Sequence, residues 1–104
     1  MKEFNFKTTD YWFKIVEFLQ QNWAVIEPND SGACRVYFFG DTSGVFDQLD
    51  FESIKEAEKA LIRNGFRKYD DDKKAKEFIA KPRPPFRKHP HPNGPIYSSG
   101  RFWR

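Results

Sequence analysis

Apolar positions along the first quarter of the chain recur at a helical spacing. Trp12, Ile15, Val16 and Leu19 fall at i, i+3, i+4 and i+7, Tyr11 and Phe18 widen the same face, and Thr9 or Asp10 can cap it. This pattern predicts a helix over residues 9–22. Residues 23–27 form a short β-prone run closed by Pro28-Asn29-Asp30-Ser31-Gly32, in which every residue favours a turn. Residues 33–39 follow as a second strand. Its Val36-Tyr37-Phe38-Phe39 stretch is apolar on both faces, which places it in the middle of a sheet. Gly40-Asp41-Thr42-Ser43-Gly44 reads as a tight hairpin turn and residues 45–50 as a third strand, giving an antiparallel meander.

A second helix carries the fullest set of signals. Ser53-Ile54-Lys55-Glu56 matches a capping box, Ile54, Ala57 and Leu61 mark the buried stripe, and Asn64-Gly65 supplies the left-handed stop. Residues 66–69 suit a fourth strand. Residues 71–80 suit a short helix whose leading aspartates complement its dipole. Together these elements predict an α+β fold: an antiparallel three- or four-stranded sheet in α-β-β-β-α-β order, with two helices on one face and a Pro-rich C-terminal tail. On that arrangement the other sheet face stands open, and a partner could cover it.

Composition sharpens the boundary of the tail. Six of the seven prolines and both histidines lie within residues 81–104, so residues 1–80 are expected to form the domain and 81–104 a tail that is disordered or packed on it. Charge divides in the same place. Residues 80–104 hold six cations and no acid, which leaves 12 cations against 15 acids, a net −3, in residues 1–79. Aromatics make up 18% of the 104 residues, so the core is expected to be built from large flat side chains. With no window of about 18 apolar residues and one cysteine, Cys34, the chain reads as cytoplasmic, without a membrane span or a disulfide.

Candidate chemistry concentrates in the tail, where cations interleave with aromatic rings. Arg83, Phe86, Arg87, Lys88, Tyr97, Arg101, Phe102 and Trp103 are the expected contact residues. Within them Pro82-Arg83-Pro84-Pro85-Phe86-Arg87 has the P-x-x-P-x-R form that polyproline-binding grooves accept. His89 and His91 are too few for a stable metal site, so no metal and no cofactor is expected. Neither histidine stands near Cys34 in this layout, which argues against a nucleophile–base pair. Asp47, Asp50 and Glu52 read as a solvated polar face. Asp70-Asp71-Asp72 lacks the alternation and closing glutamate of a calcium loop and reads as helix-end electrostatics.

A helix, three strands and a helix in that order resemble the double-stranded-RNA-binding domain, and Lys73-Lys74-Ala75-Lys76 is similar to the lysine motif opening that family's second helix. Here the lysine run falls after an additional helix and strand, with three aspartates ahead of it where phosphate contact is needed, so membership is not assigned. The expected function is a non-enzymatic interaction module that binds a protein partner through its aromatic and basic tail or the open sheet face. The alternative is a nucleic-acid-binding protein that uses the basic tail.

Overall fold

The structure, a computed structural model, describes residues 3–8, 10–17, 20–40 and 42–88. Its strands are β1 (Glu3–Phe4), β2 (Trp12–Glu17), β3 (Gln20–Pro28), β4 (Cys34–Gly40), β5 (Gly44–Phe51), β6 (Arg67–Lys68) and β7 (Phe86–Lys88), and its helices α1 (Ile54–Arg63) and α2 (Lys73–Phe78). One sheet holds all seven strands in the order β1-β7-β5-β4-β3-β2-β6. Every pairing is antiparallel except that of β7 with β5, which is parallel, so the sheet is mixed.

The expected helix over residues 9–22 is therefore overturned. Trp12↔Ala24 and Phe13↔Trp23 pair across a β2–β3 hairpin instead. Its helical spacing is a by-product of a strand whose start is buried on both sides: Trp12 and Phe13 are adjacent, both are buried, and they enter opposite cores, while Ile15 is half exposed. Two-sided burial erases the alternation that betrays a strand, and the aromatic and β-branched run 11–16 is better suited to extended backbone.

The core has two layers, one on each face of the sheet. On the first face Trp12, Ala24, Ile26, Val36, Phe38 and Phe51 meet Ala57, Ala60 and Leu61 of α1. On the second, Phe13, Trp23, Val25, Phe39 and Val45 lie under Tyr69, Ala75 of α2 and Phe86, with Phe4, Phe6 and Tyr11 packed around them. The expectation of two helices on one face with the other face open is thus corrected. The N-terminal segment, α2 and β7 close the second face, because its aromatic surface is too large to leave in water.

The strands on either side of β4 explain its composition. β4 pairs with β3 from Asn22↔Gly40 to Pro28↔Cys34 and with β5 from Cys34↔Phe51 to Phe39↔Val45, and Phe38 and Phe39 are fully buried on opposite faces. A bulge in β5 at Phe46 shifts the register, so that Phe38 faces Asp47 and Phe39 faces Val45.

α1 forms as the sequence predicts. Ser53 accepts a hydrogen bond from the Glu56 backbone N–H at 3.2 Å, and Gly65 at φ +87° lets the chain leave the helix left-handed. Ile54, expected in the buried stripe, is 42% exposed, and Ala60 takes its place. Asp72 caps α2 by accepting from the Ala75 N–H at 3.0 Å, as the helix-end reading of the aspartates expects.

Residues 81–88 belong to the packed body. β7 pairs with β1 through Phe4↔Phe86 and with β5 through Gly44↔Arg87. The Ser43 hydroxyl, in the β4–β5 turn at φ +70°, donates to the Arg83 carbonyl at 2.6 Å, and the Arg87 N–H donates to the Ser43 carbonyl at 3.3 Å. Pro82 is buried as well. No helix among the described residues is long and apolar enough to cross a membrane.

Candidate functional site

A hollow of 540 Å³ lies where α1, β2 and β6 meet. Trp12 and Phe66 form its floor and Ile62 stands at its side, with Glu58, Asp71, Asp72, Arg67 and Lys68 around it. Each is placed by a separate element. Trp12 starts β2, Arg67 and Lys68 are β6, and Phe66 follows the left-handed Gly65 that ends α1.

Ile54, Glu58 and Ile62 recur every four residues, so they form a row along α1 beside the buried Ala57 and Leu61. Ile54 and Ile62 are 42% and 62% exposed. A second hollow of 330 Å³, lined by Ile54, Glu58, Trp12, Ile26, Pro28 and Asp10 among others, shares Trp12 and Glu58 with the first. The two make one furrow beside α1.

Lys68 crosses that furrow over the tryptophan. Its Nζ lies 3.3 Å from Asp10 Oδ2, 3.9 Å from Glu58 Oε2 and 5.6 Å from the centroid of the Trp12 ring. The hydrogen bond to Asp10, the nearby charge of Asp10 and the more distant charges of Glu58 and Asp71 hold its pKa above the ordinary lysine value, so it stays a cation. Arg67 Nη1 lies 3.8 Å from Asp72 Oδ2 on the far side. The furrow therefore offers an apolar seat between two partly exposed ion pairs, each of which contributes little to stability.

The sequence-predicted contact residues do not converge. Phe86 is 3% exposed and packs between Phe6 and Phe39, each at a ring separation of 4.9 Å, so it is core. Arg87 is exposed, and its Nη2 lies 3.9 Å from Glu3 Oε1. Lys88 is exposed and lines a 450 Å³ hollow with Phe4, Arg35, Tyr37, Phe46 and Asp47. Arg83 is exposed beside α2, in a 480 Å³ hollow away from Arg87 and Lys88. Tyr97, Arg101, Phe102 and Trp103 lie outside the described residues, as do His89 and His91. Between buried Pro82 and buried Phe86, the P-x-x-P-x-R segment presents one side to its own core.

Other singled-out groups have structural partners. Asp50 receives the Arg35 guanidinium at 2.6 Å, and Asp47 accepts from the Gln48 N–H at 2.8 Å. Cys34 is buried, with Sγ donating to the Ser53 carbonyl at 3.5 Å. Burial, and then the charges of Asp50 and Glu56, push its thiol pKa up, which disfavours the nucleophilic thiolate. Among the described residues no three His, Cys, Asp or Glu side chains are grouped to hold a metal ion.

Sequence reasoning missed Trp12, Ile62 and Phe66 as a site, because Trp12 and Phe66 look like core and are largely core. The available signal was α1 itself: Ile54 and Ile62 extend its apolar residues beyond the stripe that the sheet can bury. Comparison of the chain with protein-family models, with curated proteins and with solved structures finds no match.

Proposed function

We propose that this protein is a non-enzymatic interaction module that binds a protein partner, and that the furrow beside α1 is the contact surface. Its ligand is a peptide segment with a large apolar side chain, which sits against Trp12, Ile62 and Phe66 while its polar backbone and flanking charges meet Glu58, Arg67, Lys68 and Asp72. The observation that carries this reading is the coincidence of a 540 Å³ hollow with an exposed Ile62 and two aromatic rings, Trp12 and Phe66, in its lining. Enclosed apolar floors with polar rims are where side-chain anchors gain most on transfer from water. The sheet face that the sequence left open is covered in large part by the chain itself, through the N-terminal segment, α2 and Phe86.

Selection of phage-displayed random peptides on the folded chain tests the proposal. Binders are expected to share one aromatic or large aliphatic position and to lose at least tenfold in affinity on Ile62→Glu, which sits at an exposed helix position and leaves the fold intact. Binders indifferent to Ile62→Glu would place the contact surface elsewhere.

A further inference from the structure

Phe78, the last residue of α2, is 83% exposed, more than any other large hydrophobic side chain described. It shares the 480 Å³ hollow with Lys76, Lys81 and Arg83, and with one acid, Glu77. Lys81 is held in place by two rings, its Nζ lying 5.1 Å from the centroid of Tyr11 and 5.7 Å from that of Tyr69. The Tyr69 hydroxyl donates to the Ile79 carbonyl, which ties the exit of α2 to the core beneath. Lys76 Nζ lies 3.9 Å from Asp70 Oδ1, beyond hydrogen-bonding distance and at exposed positions. Arg83 makes no ion pair among the described residues, and its main chain is fixed by Ser43.

From this arrangement we infer that the α2 exit is a binding site for single-stranded nucleic acid, with Phe78 stacking on a base and Lys76, Lys81 and Arg83 meeting the adjacent phosphates. Charge favours an anionic ligand, since Lys76, Lys81 and Arg83 line the hollow with Glu77 as its one lining acid and Asp70 3.9 Å from Lys76. Tyr69, Ile79 and Pro82 line the same hollow but are buried or half-buried, so Phe78 is its one exposed large apolar side chain, and this selects the kind of anion. A protein hot spot needs apolar neighbours that exclude water, and insertion into a membrane needs a broader apolar patch, whereas a base needs only an open π-face with cations beside it. The site is separate from the α1 furrow and does not depend on it.

The test is fluorescence anisotropy of a labelled oligothymidylate of about 20 nucleotides, long enough to span more than one such site, with the full chain over a salt series. Binding is expected to weaken with salt and to drop about 5- to 150-fold in Phe78→Ala, the range that loss of one stacked base gives. Arg83→Gln and Lys76→Gln are each expected to flatten the logarithmic salt slope by about 0.7. Ile62→Glu, which breaks the furrow, is expected to leave this binding unchanged. Phe78 is exposed, so circular dichroism of Phe78→Ala should match the parent. Because Arg101 and Arg104 add charge outside the described residues, binding that ignores Phe78→Ala would overturn the inference. So would an absence of binding at low salt, or Phe78-dependent binding of polyglutamate or anionic vesicles in place of the oligonucleotide.

Discussion

Truncating Phe86 to alanine asks whether the chain after residue 80 is part of the folded body or an appendage. Phe86 is 3% exposed, and its ring lies 4.9 Å from Phe6, 4.9 Å from Phe39 and 6.4 Å from Tyr11. Phe→Ala at such a site costs about 3–5 kcal/mol, the sum of lost transfer energy and the cavity left behind. Native domains hold only about 5–15 kcal/mol in total, so the loss takes a large share of the stability. In urea, with a slope of about 1.5 kcal/mol/M, a change of about 4 kcal/mol lowers the midpoint by about 2.5 M. Fluorescence follows the transition through Trp23, which is fully buried against Phe13 and Tyr69, with far-ultraviolet circular dichroism as a second probe. Phe78→Ala is the matched control: at 83% exposure it should shift stability by about 0.5 kcal/mol or less. A midpoint drop of under about 0.5 M for Phe86→Ala, with an unchanged slope, would refute the placement of β7 in the sheet.

Two further expectations concern caps and pH. Ser53→Ala and Asp72→Ala each remove a side-chain acceptor from a helix N-terminus, and each should cost about 0.5–2 kcal/mol, measured by the same urea titration. Cys34 and Tyr11 have pKa values raised chiefly by burial, and Lys68 by its hydrogen bond to Asp10. In all three the folded state holds the proton more tightly than the unfolded chain. Their contribution is therefore complete below the unfolded pKa values and is lost as pH rises, from about pH 8.5 for the thiol and about pH 10 for the phenol and ammonium. Urea midpoints should be level near neutrality and fall progressively above about pH 8.5, with Cys34→Ala removing the earliest part of the fall. Midpoints that rise over that range would contradict the assignment.

The parts of the fold written in local signals were legible in the sequence. α1 has an N-cap, an apolar stripe and a glycine stop; the cap and the stop work as read, and the stripe does so at Ala57 and Leu61, with Ala60 buried in place of Ile54. The doubly apolar run of β4 placed it at the centre of a sheet, where it lies between β3 and β5. Long-range pairing is what the sequence hid. β2 was mistaken for a helix because Trp12 and Phe13 each have a core to enter, so neither face is polar and the period of two disappears. β7 follows a proline-rich stretch that suggests a spacer. It becomes a strand because β1 on one side and the β4–β5 turn, some forty residues earlier in the chain, on the other offer it partners.

The candidate sites follow the same division. Phe86 was singled out for its company of cations, and the fold turns it inward, where it closes the second core layer. Trp12 and Phe66 could not be joined by sequence alone, since their meeting depends on β6 pairing with β2 through Trp12↔Lys68. Phe78 sits on a six-residue helix whose only buried residue is Ala75, so its exposure depends on which side α2 turns to the sheet.

The most direct test of the peptide-binding account is a heteronuclear shift titration of the labelled protein with the tightest selected peptide. The account predicts that the Trp12 indole N–H and the backbone amides of residues 58–68 move together and saturate, while those around Phe78 stay in place. Shifts centred on residues 76–83, or dispersed over the surface with no saturating set at Trp12 and Ile62, would contradict it.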